Sequence, residues 1–367
     1  MENSLQTPEF PTDRLPSPTR RPYIDWLRGL AVLFMIEWHT VDAWLADAAR
    51  TGRPFGVLAF IGGWAAPLFL FLAGVAIPFA AGSHMRKGRS MAEAAWVLQK
   101  RGWQVFFYAH LFRFTSFLFN PWARGDSIFK PDILNILGLG LVAGAWCWGR
   151  SATIARRVLW LLVPAAVIVL ISPLVRGWWW PTLLHPRLEA YLRPNGGWGQ
   201  FALFPWVAYV FVGACAGVWI ATARKPEDEP RFHARLAMAA AAVMVAGWVG
   251  MYLPSPLGSS FWTTSLSYFL IRTGAMTLML ALAWLWMTRP TARHWSPTVL
   301  FGQTSLFVYW VHVELAYGIF SLALKRSLTL PQMGVAYLLF TALMLVAAAW
   351  WAKRTAAGPW IPEHLKA

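Results

Sequence analysis

Residues 28–45 read RGLAVLFMIEWHTVDAWL, an apolar run of membrane-spanning length with a cation at one end and a titratable ring inside it. At roughly 100° and about 1.5 Å per residue, the ten residues between Arg28 and His39 return a helix to the same face. The two side chains then stand about 16 Å apart along the axis. Asp42 falls about 60° from His39, whereas Glu37 points nearly the opposite way. Arg28, His39 and Asp42 therefore form one polar stripe. A His with a carboxylate one turn away is the pattern that fixes an imidazole tautomer and raises its basicity, as a general base requires. A buried His bonded to a neighbouring helix, with Asp42 among the headgroups, explains the same residues without chemistry.

Composition extends that reading to the whole chain. Of 367 residues, 57% are hydrophobic and 13% charged, 25 are tryptophan, and the mean hydropathy is +0.46, far from a soluble domain's mix. Apolar stretches of about twenty residues, enough to cross a roughly 30 Å hydrocarbon core, recur throughout. Ten spans are predicted, at 29–47, 58–82, 102–120, 132–149, 158–175, 200–222, 236–253, 263–288, 299–324 and 333–352. The fold class is all-α, a polytopic integral-membrane helix bundle. Residues 1–21, rich in Pro, Thr and Arg and without an apolar core, read as a disordered cytoplasmic tail rather than a cleaved signal. Residues 22–354 form the membrane domain and 355–367 a second cytoplasmic tail.

With the N-terminus inside, 21 of the 32 basic residues fall in inner segments and nine in outer ones, which places both termini in the cytoplasm. The net charge of +16 then suits an anionic inner leaflet. It is scattered over loops, so no nucleic-acid partner is expected. Cys147 and Cys215 lie in apolar spans and read as small core residues. Trp178, Trp179 and Trp180 fit an aromatic belt, with sugar stacking as the sharper alternative. Pro67, Gly74 and Pro78 suit a bent, closely packed second span.

Ionisable side chains inside the membrane are costly unless paired or hydrated. The ninth span, FGQTSLFVYWVHVELAYG at 301–318, carries Ser305 and His312 on one side and Gln303 and Glu314 on roughly the other. A helix polar on two faces belongs in the centre of the bundle. His110, Arg113 and Arg272 complete the set, and each Arg is expected to pair with a carboxylate such as Glu37 or Glu314, or to line a watery cavity. Asp132 and Asn135 open the fourth span, where such residues cap helices. The sequence contains no GxxxxGK[ST] loop, HExxH, paired CxxC or GxSxG elbow, and so lacks the signatures of nucleotide hydrolysis, zinc catalysis and serine hydrolysis.

Four segments, IDWLRGLAVLFMIEWH (24–39), APLFLFLAGVAI (66–77), DILNILGLG (132–140) and GQTSLFVYWVHVELAYG (302–318), resemble the transmembrane acyltransferase superfamily. The likeness is strongest to bacterial relatives of heparan-α-glucosaminide N-acetyltransferase and extends, more distantly, to glycan-acylating membrane acyltransferases. Arg, ten residues, then His is the signature of the glycan-acylating branch. The resemblance implies acyl-CoA, acetyl-CoA first, as co-substrate, with His39 as base and Arg28 as a donor contact. Arg86 and Lys87 would help hold the CoA phosphates. Beyond what the resemblance implies, Asp42 is expected to orient His39, and His312 or a nearby amide donor to stabilise the oxyanion. For the acceptor, a glycan or small molecule, the candidates are Asp132, Asn135, Glu314 and Tyr309.

No metal is implied. The lysosomal branch carries a further functional His beyond the first span, but AARTGRPFGV (48–57) has none, so direct transfer at His39 is favoured over an acyl-histidine. The expected setting is a bacterial inner membrane. A homo-oligomer stays open, because apolar helix faces serve packing and subunit contact alike. So does a different class of function, a transporter or proton-coupled exporter with His39, Asp42, His312 and Glu314 as a polar relay.

Overall fold

A computed structural model of the chain describes residues 21–120, 125–195, 198–223, 226–254, 256–289 and 296–355. The expected tails, apart from Arg21 and Thr355, lie outside the described residues. The helices are α1 (Pro22–Trp44), α2 (Gly52–Gly62), α3 (Ala65–Arg86), α4 (Met91–Phe119), α5 (Ile133–Trp148), α6 (Ile154–Gly177), α7 (Pro186–Leu192) and α8 (Leu203–Trp206). They continue with α9 (Ala208–Ile220), α10 (Glu229–Gly250), α11 (Phe261–Thr264), α12 (Leu266–Met287), α13 (Pro297–Gln303), α14 (Ser305–Tyr317) and α15 (Leu330–Arg354). Among the described residues there is no strand beyond one isolated bridge between Leu45 and Leu328. The chain is an all-α polytopic membrane bundle.

Each of the ten apolar stretches is occupied by a helix or by consecutive helices. Seven helical segments are long and apolar enough to cross a membrane on length and composition. The stretches outside that set are α1, α4 and the α13–α14 pair, which hold most of the intramembrane charges, whereas Arg272 stands in α12, inside the set. Asp25, Arg28, Glu37 and Asp42 stand in α1, while Arg113 stands in α4. The faces of α6 and α15 carrying Val163, Val167, Leu338 and Val346 are exposed, as lipid-facing surfaces are.

Local chemistry moves several boundaries. Ser90 and Glu93 form a capping box, so α4 starts at Met91 rather than 102. α1 ends at Trp44, and Asp47 lies beyond it in an exposed turn, paired with Arg326 at 2.6 Å. The ninth span is not one helix. It breaks at Thr304, whose φ of -105° and ψ of 15° leave the helical region. The faces computed across that break, Gln303 with Glu314, therefore do not apply.

α1 lies at the centre, against α2, α3, α12, α13, α14 and α15. Its closest approach is to α13. A Cβ on Gly29 would overlap the Thr298 carbonyl, and one on Gly302 would overlap the Asp25 carbonyl, so the two backbones touch directly. Gly74 plays the same part where α3 meets Val210 of α9, in line with the packing reading of the second span.

Because backbone cannot yield as a side chain can, Gly302→Ala is expected to cost at least about 1–3 kcal/mol. It should lower the melting temperature in detergent. Gly56→Ala, with nothing within 4 Å of the added carbon, should leave the melt unchanged.

Candidate active site

A cavity of about 670 Å³ opens in the half of the bundle where α1 ends, between α1, α3, α4, α5 and α14. His39, Asp42, Arg113, Asp132, Tyr309 and Tyr317 are among its polar lining residues. Apolar residues such as Leu70, Phe112 and Val313 line it too.

The histidines determine what this cavity can do. His39 Nδ1 lies 2.7 Å from His312 Nε2, and the two rings are nearly parallel, 13° apart. His312 is fully buried, and its Nδ1 lies 2.7 Å from the Val308 carbonyl. A carbonyl only accepts, so His312 Nδ1 carries the proton. With both rings neutral, His312 Nε2 is then an acceptor, His39 Nδ1 is the donor to it, and His39 Nε2 is left with a lone pair. One backbone carbonyl thus fixes the tautomers of two rings in series. The chain Val308–His312–His39 ends in a base on a residue that lines the cavity.

Asp42 does not orient His39, contrary to expectation. It accepts from Tyr317 Oη at 2.9 Å and pairs with Arg50 at 3.4 Å. Arg50 reaches back from the turn after α1 to donate to the Val41 and Leu45 carbonyls at 3.0 and 3.2 Å and to the Asp42 carbonyl. It thereby satisfies the open end of α1. Both ring nitrogens of His312, expected at the oxyanion, are engaged, Nε2 by His39 and Nδ1 by the Val308 carbonyl.

Asp132 and Glu314 are similarly committed, whereas both oxygens of the buried Glu37 have no hydrogen-bond partner. Asp132 caps α5 by accepting from the Leu134 amide at 3.2 Å, and Asn135 returns the favour to the Asp132 amide at 2.8 Å. The same Asp132 carboxylate accepts from Tyr309 Oη at 2.5 Å and pairs with Arg113 at 2.7 Å. Glu314 accepts from Thr115 and Ser116 at 2.9 and 2.8 Å, so it pairs with neither intramembrane arginine. Arg272 instead donates to the Gly63 carbonyl and faces the Tyr268 ring. Asn135 also donates to the Phe106 carbonyl and sits 3.3 Å from His110 Nδ1, which places it behind the cavity wall rather than on it.

The expected donor contacts lie elsewhere. Arg28 pairs with Asp25 at 3.1 Å near the start of α1, Arg86 ends α3, and Lys87 is exposed just beyond it. None of the three lines the cavity. Trp178, Trp179 and Trp180 are surface residues outside it, as an aromatic belt would be. Sequence reasoning did not put Tyr317, Lys130 or Trp206 in the site. Tyr317, one turn beyond Glu314, carried a usable signal as a polar-tipped ring near a helix end. Lys130 reaches the cavity from the connection before α5 and Trp206 from the four-residue α8, both too short or irregular for periodicity to describe. Among the described residues, no group of three or more His, Cys, Asp or Glu side chains comes together as a metal-binding set would.

Residues 20–253, well over half of the chain, match the family described as heparan-alpha-glucosaminide N-acetyltransferase, catalytic. The chain belongs to this family. No curated protein matches the chain. Membership, together with the membrane bundle, makes it a multi-pass membrane enzyme of the acetyltransferase type. That speaks for an acyltransferase over the exporter reading. The family match runs from α1 through α10 and so includes His39, Asp42 and Asp132. His312 and Tyr309 lie beyond it on α14, yet they close the same site.

Arg113→Met would leave the 5%-exposed Asp132 without a cation. Breaking a buried pair in this way is expected to cost about 3–5 kcal/mol. The melting temperature should fall, and Arg113→Met with Asp132→Asn should recover much of the loss. No recovery in the double variant would show that the pair is not what stabilises this wall.

Proposed function

We propose that the protein transfers an acyl group, acetyl first, from acyl-CoA to a hydroxyl or amine of an extracytoplasmic acceptor, with His39 as general base. The observation that carries this is the hydrogen-bonded series from Val308 through His312, which leaves His39 Nε2 as a free acceptor at a cavity large enough for two reacting groups. Such positioning of a base by a second ring follows the logic of a catalytic triad without its carboxylate.

In this reading the acceptor's O–H or N–H gives its proton to His39 Nε2 as the heteroatom attacks the thioester carbonyl. The carbonyl π pair moves to oxygen, and Arg113, the arginine of the lining, offsets the charge that develops there. Asp42 and Asp132 line the same cavity and favour the imidazolium while it exists. Collapse of the tetrahedral species expels the CoA thiolate, which recovers the proton from His39. An ester or amide leaves with the acceptor, and the ring is neutral again. Tyr309 holds Asp132 in place beside the acceptor; Asn135 and Glu314, neither of which lines the cavity, support that wall from behind.

Sidedness follows the charge distribution of the sequence. Arg28, Arg86 and Lys87 lie at the opposite end of α1 from the cavity, on the side assigned to the cytoplasm, and are suited to phosphates of CoA. The roughly 16 Å from Arg28 to His39 is a span for the donor's extended arm. The acceptor comes from the other side, a carbohydrate being favoured by the family, and a bacterial inner membrane is the setting that suits this arrangement.

His39→Ala is expected to lower acetyl transfer by about 10²- to 10⁴-fold. It should leave intact the rise in melting temperature that CoA produces through ligand linkage. His312→Ala should reduce transfer less, and Arg28→Ala should shrink the CoA-induced rise. Undiminished transfer by His39→Ala, or solute flux into liposomes without any acyl transfer, would overturn the proposal.

A further inference from the structure

A second cavity, of about 560 Å³, adjoins the first and shares Lys130, Gln200 and Trp206 with it. Its charge is one-sided. Lys130, Arg176 and Arg272 all line it, and among the described residues its lining contains no carboxylate. None of the three cations forms an ion pair with an acidic side chain of the described residues. Asp132, the acid near Lys130 in sequence, is already engaged by Arg113 and Tyr309.

The two arginines are held by neutral partners only. Arg176 donates to the Phe204 carbonyl at 3.2 and 3.3 Å. Arg272 is 9% exposed, donates to the Gly63 carbonyl, faces the Trp64 and Tyr268 rings at 5.4 and 4.8 Å, and has a buried Nε without a partner. A guanidinium cannot shed its charge, and a buried one without a counter-charge is destabilising unless something supplies that charge. Natural proteins tolerate such a cost at sites of function. The remaining walls are aromatic, with Trp206, Tyr209, Trp262 and Phe269 in the lining.

We infer that this cavity is an oxyanion-binding subsite, in which Lys130, Arg176 and Arg272 hold a phosphate group of the acceptor while its nucleophile reaches His39 in the adjoining cavity. Three cations with no acid among them suit a doubly charged phosphate better than a single carboxylate, and arginine forks match phosphate oxygens in pairs. Aromatic walls beside the charge suit the faces of a sugar ring. That the phosphate belongs to the acceptor rests on the acyltransferase reading above. The anion site itself does not.

The test is therefore a binding measurement, made without acyl-CoA or turnover. Titration calorimetry of the full chain in neutral detergent with inorganic phosphate should show saturable binding. Arg176→Gln and Arg272→Gln should each raise the Kd about tenfold or more, and Lys130→Gln provides a third variant should either arginine change impair folding, checked by monodisperse elution. Absence of binding, or equal binding by well-folded variants, overturns the subsite. The source of the phosphate is separated by repeating the titration in nanodiscs of phosphatidylcholine with and without phosphatidic acid. Unchanged binding supports a phosphorylated acceptor. Loss of binding only with phosphatidic acid assigns the cavity to a lipid headgroup and overturns the acceptor assignment. Phosphate binding by a chain that proves unable to transfer acetyl groups would leave the site standing and count against the acyltransferase reading alone.

Discussion

The direct backbone contact between α1 and α13, at Gly29 and Gly302, positions everything built above it. In a lipid environment there is no hydrophobic force to draw helices together, so close approach through small residues is what fixes two helices at one distance and one angle. From that crossing the chain breaks at Thr304 and continues as α14 beside α1. The break brings His312 to 2.7 Å from His39. A straight ninth span would carry α14 along a different line.

Several polar groups around the first cavity are paired across helices, and the pairing divides the molecule. Arg113, Asp132 and Tyr309 tie α4, α5 and α14 into one wall, while Thr115 and Ser116 bind Glu314 a turn away. The paired carboxylates leave His39 Nε2 as the uncommitted base of the cavity. The neighbouring cavity has the opposite balance, with cations and no acids among its described lining residues. Base and anion-holding charge are thus set in adjoining spaces that share Trp206 and Lys130.

The spans were legible because a membrane helix must be long and apolar, and every stretch of that kind is helical here. Single-helix geometry also put His39 and Asp42 on one face, and both line the cavity, whereas Arg28 does not. What lay out of reach was pairing between helices. His39 and His312 are 273 residues apart, and helical periodicity carries no information about which helices adjoin. Asp42 illustrates the limit: one turn from His39 by angle, it is drawn away by Arg50 and Tyr317, which arrive from a turn and from another helix. Arg113 was expected to seek Glu37 or Glu314 and instead meets Asp132, whose capping role at α5 puts it within reach. The Thr304 break carries no Pro or Gly of its own to announce it.

The central claim is that a backbone carbonyl, acting through His312, fixes His39 with its proton on Nδ1 and its lone pair on Nε2. Solid-state nitrogen NMR of the histidine-labelled full chain in lipid reads this directly, with the His39 signals assigned by their loss in His39→Gln. The account predicts a neutral His39 protonated at Nδ1, reverting to a mixture of tautomers in His312→Ala. A His39 protonated at Nε2 in the unaltered protein would contradict it.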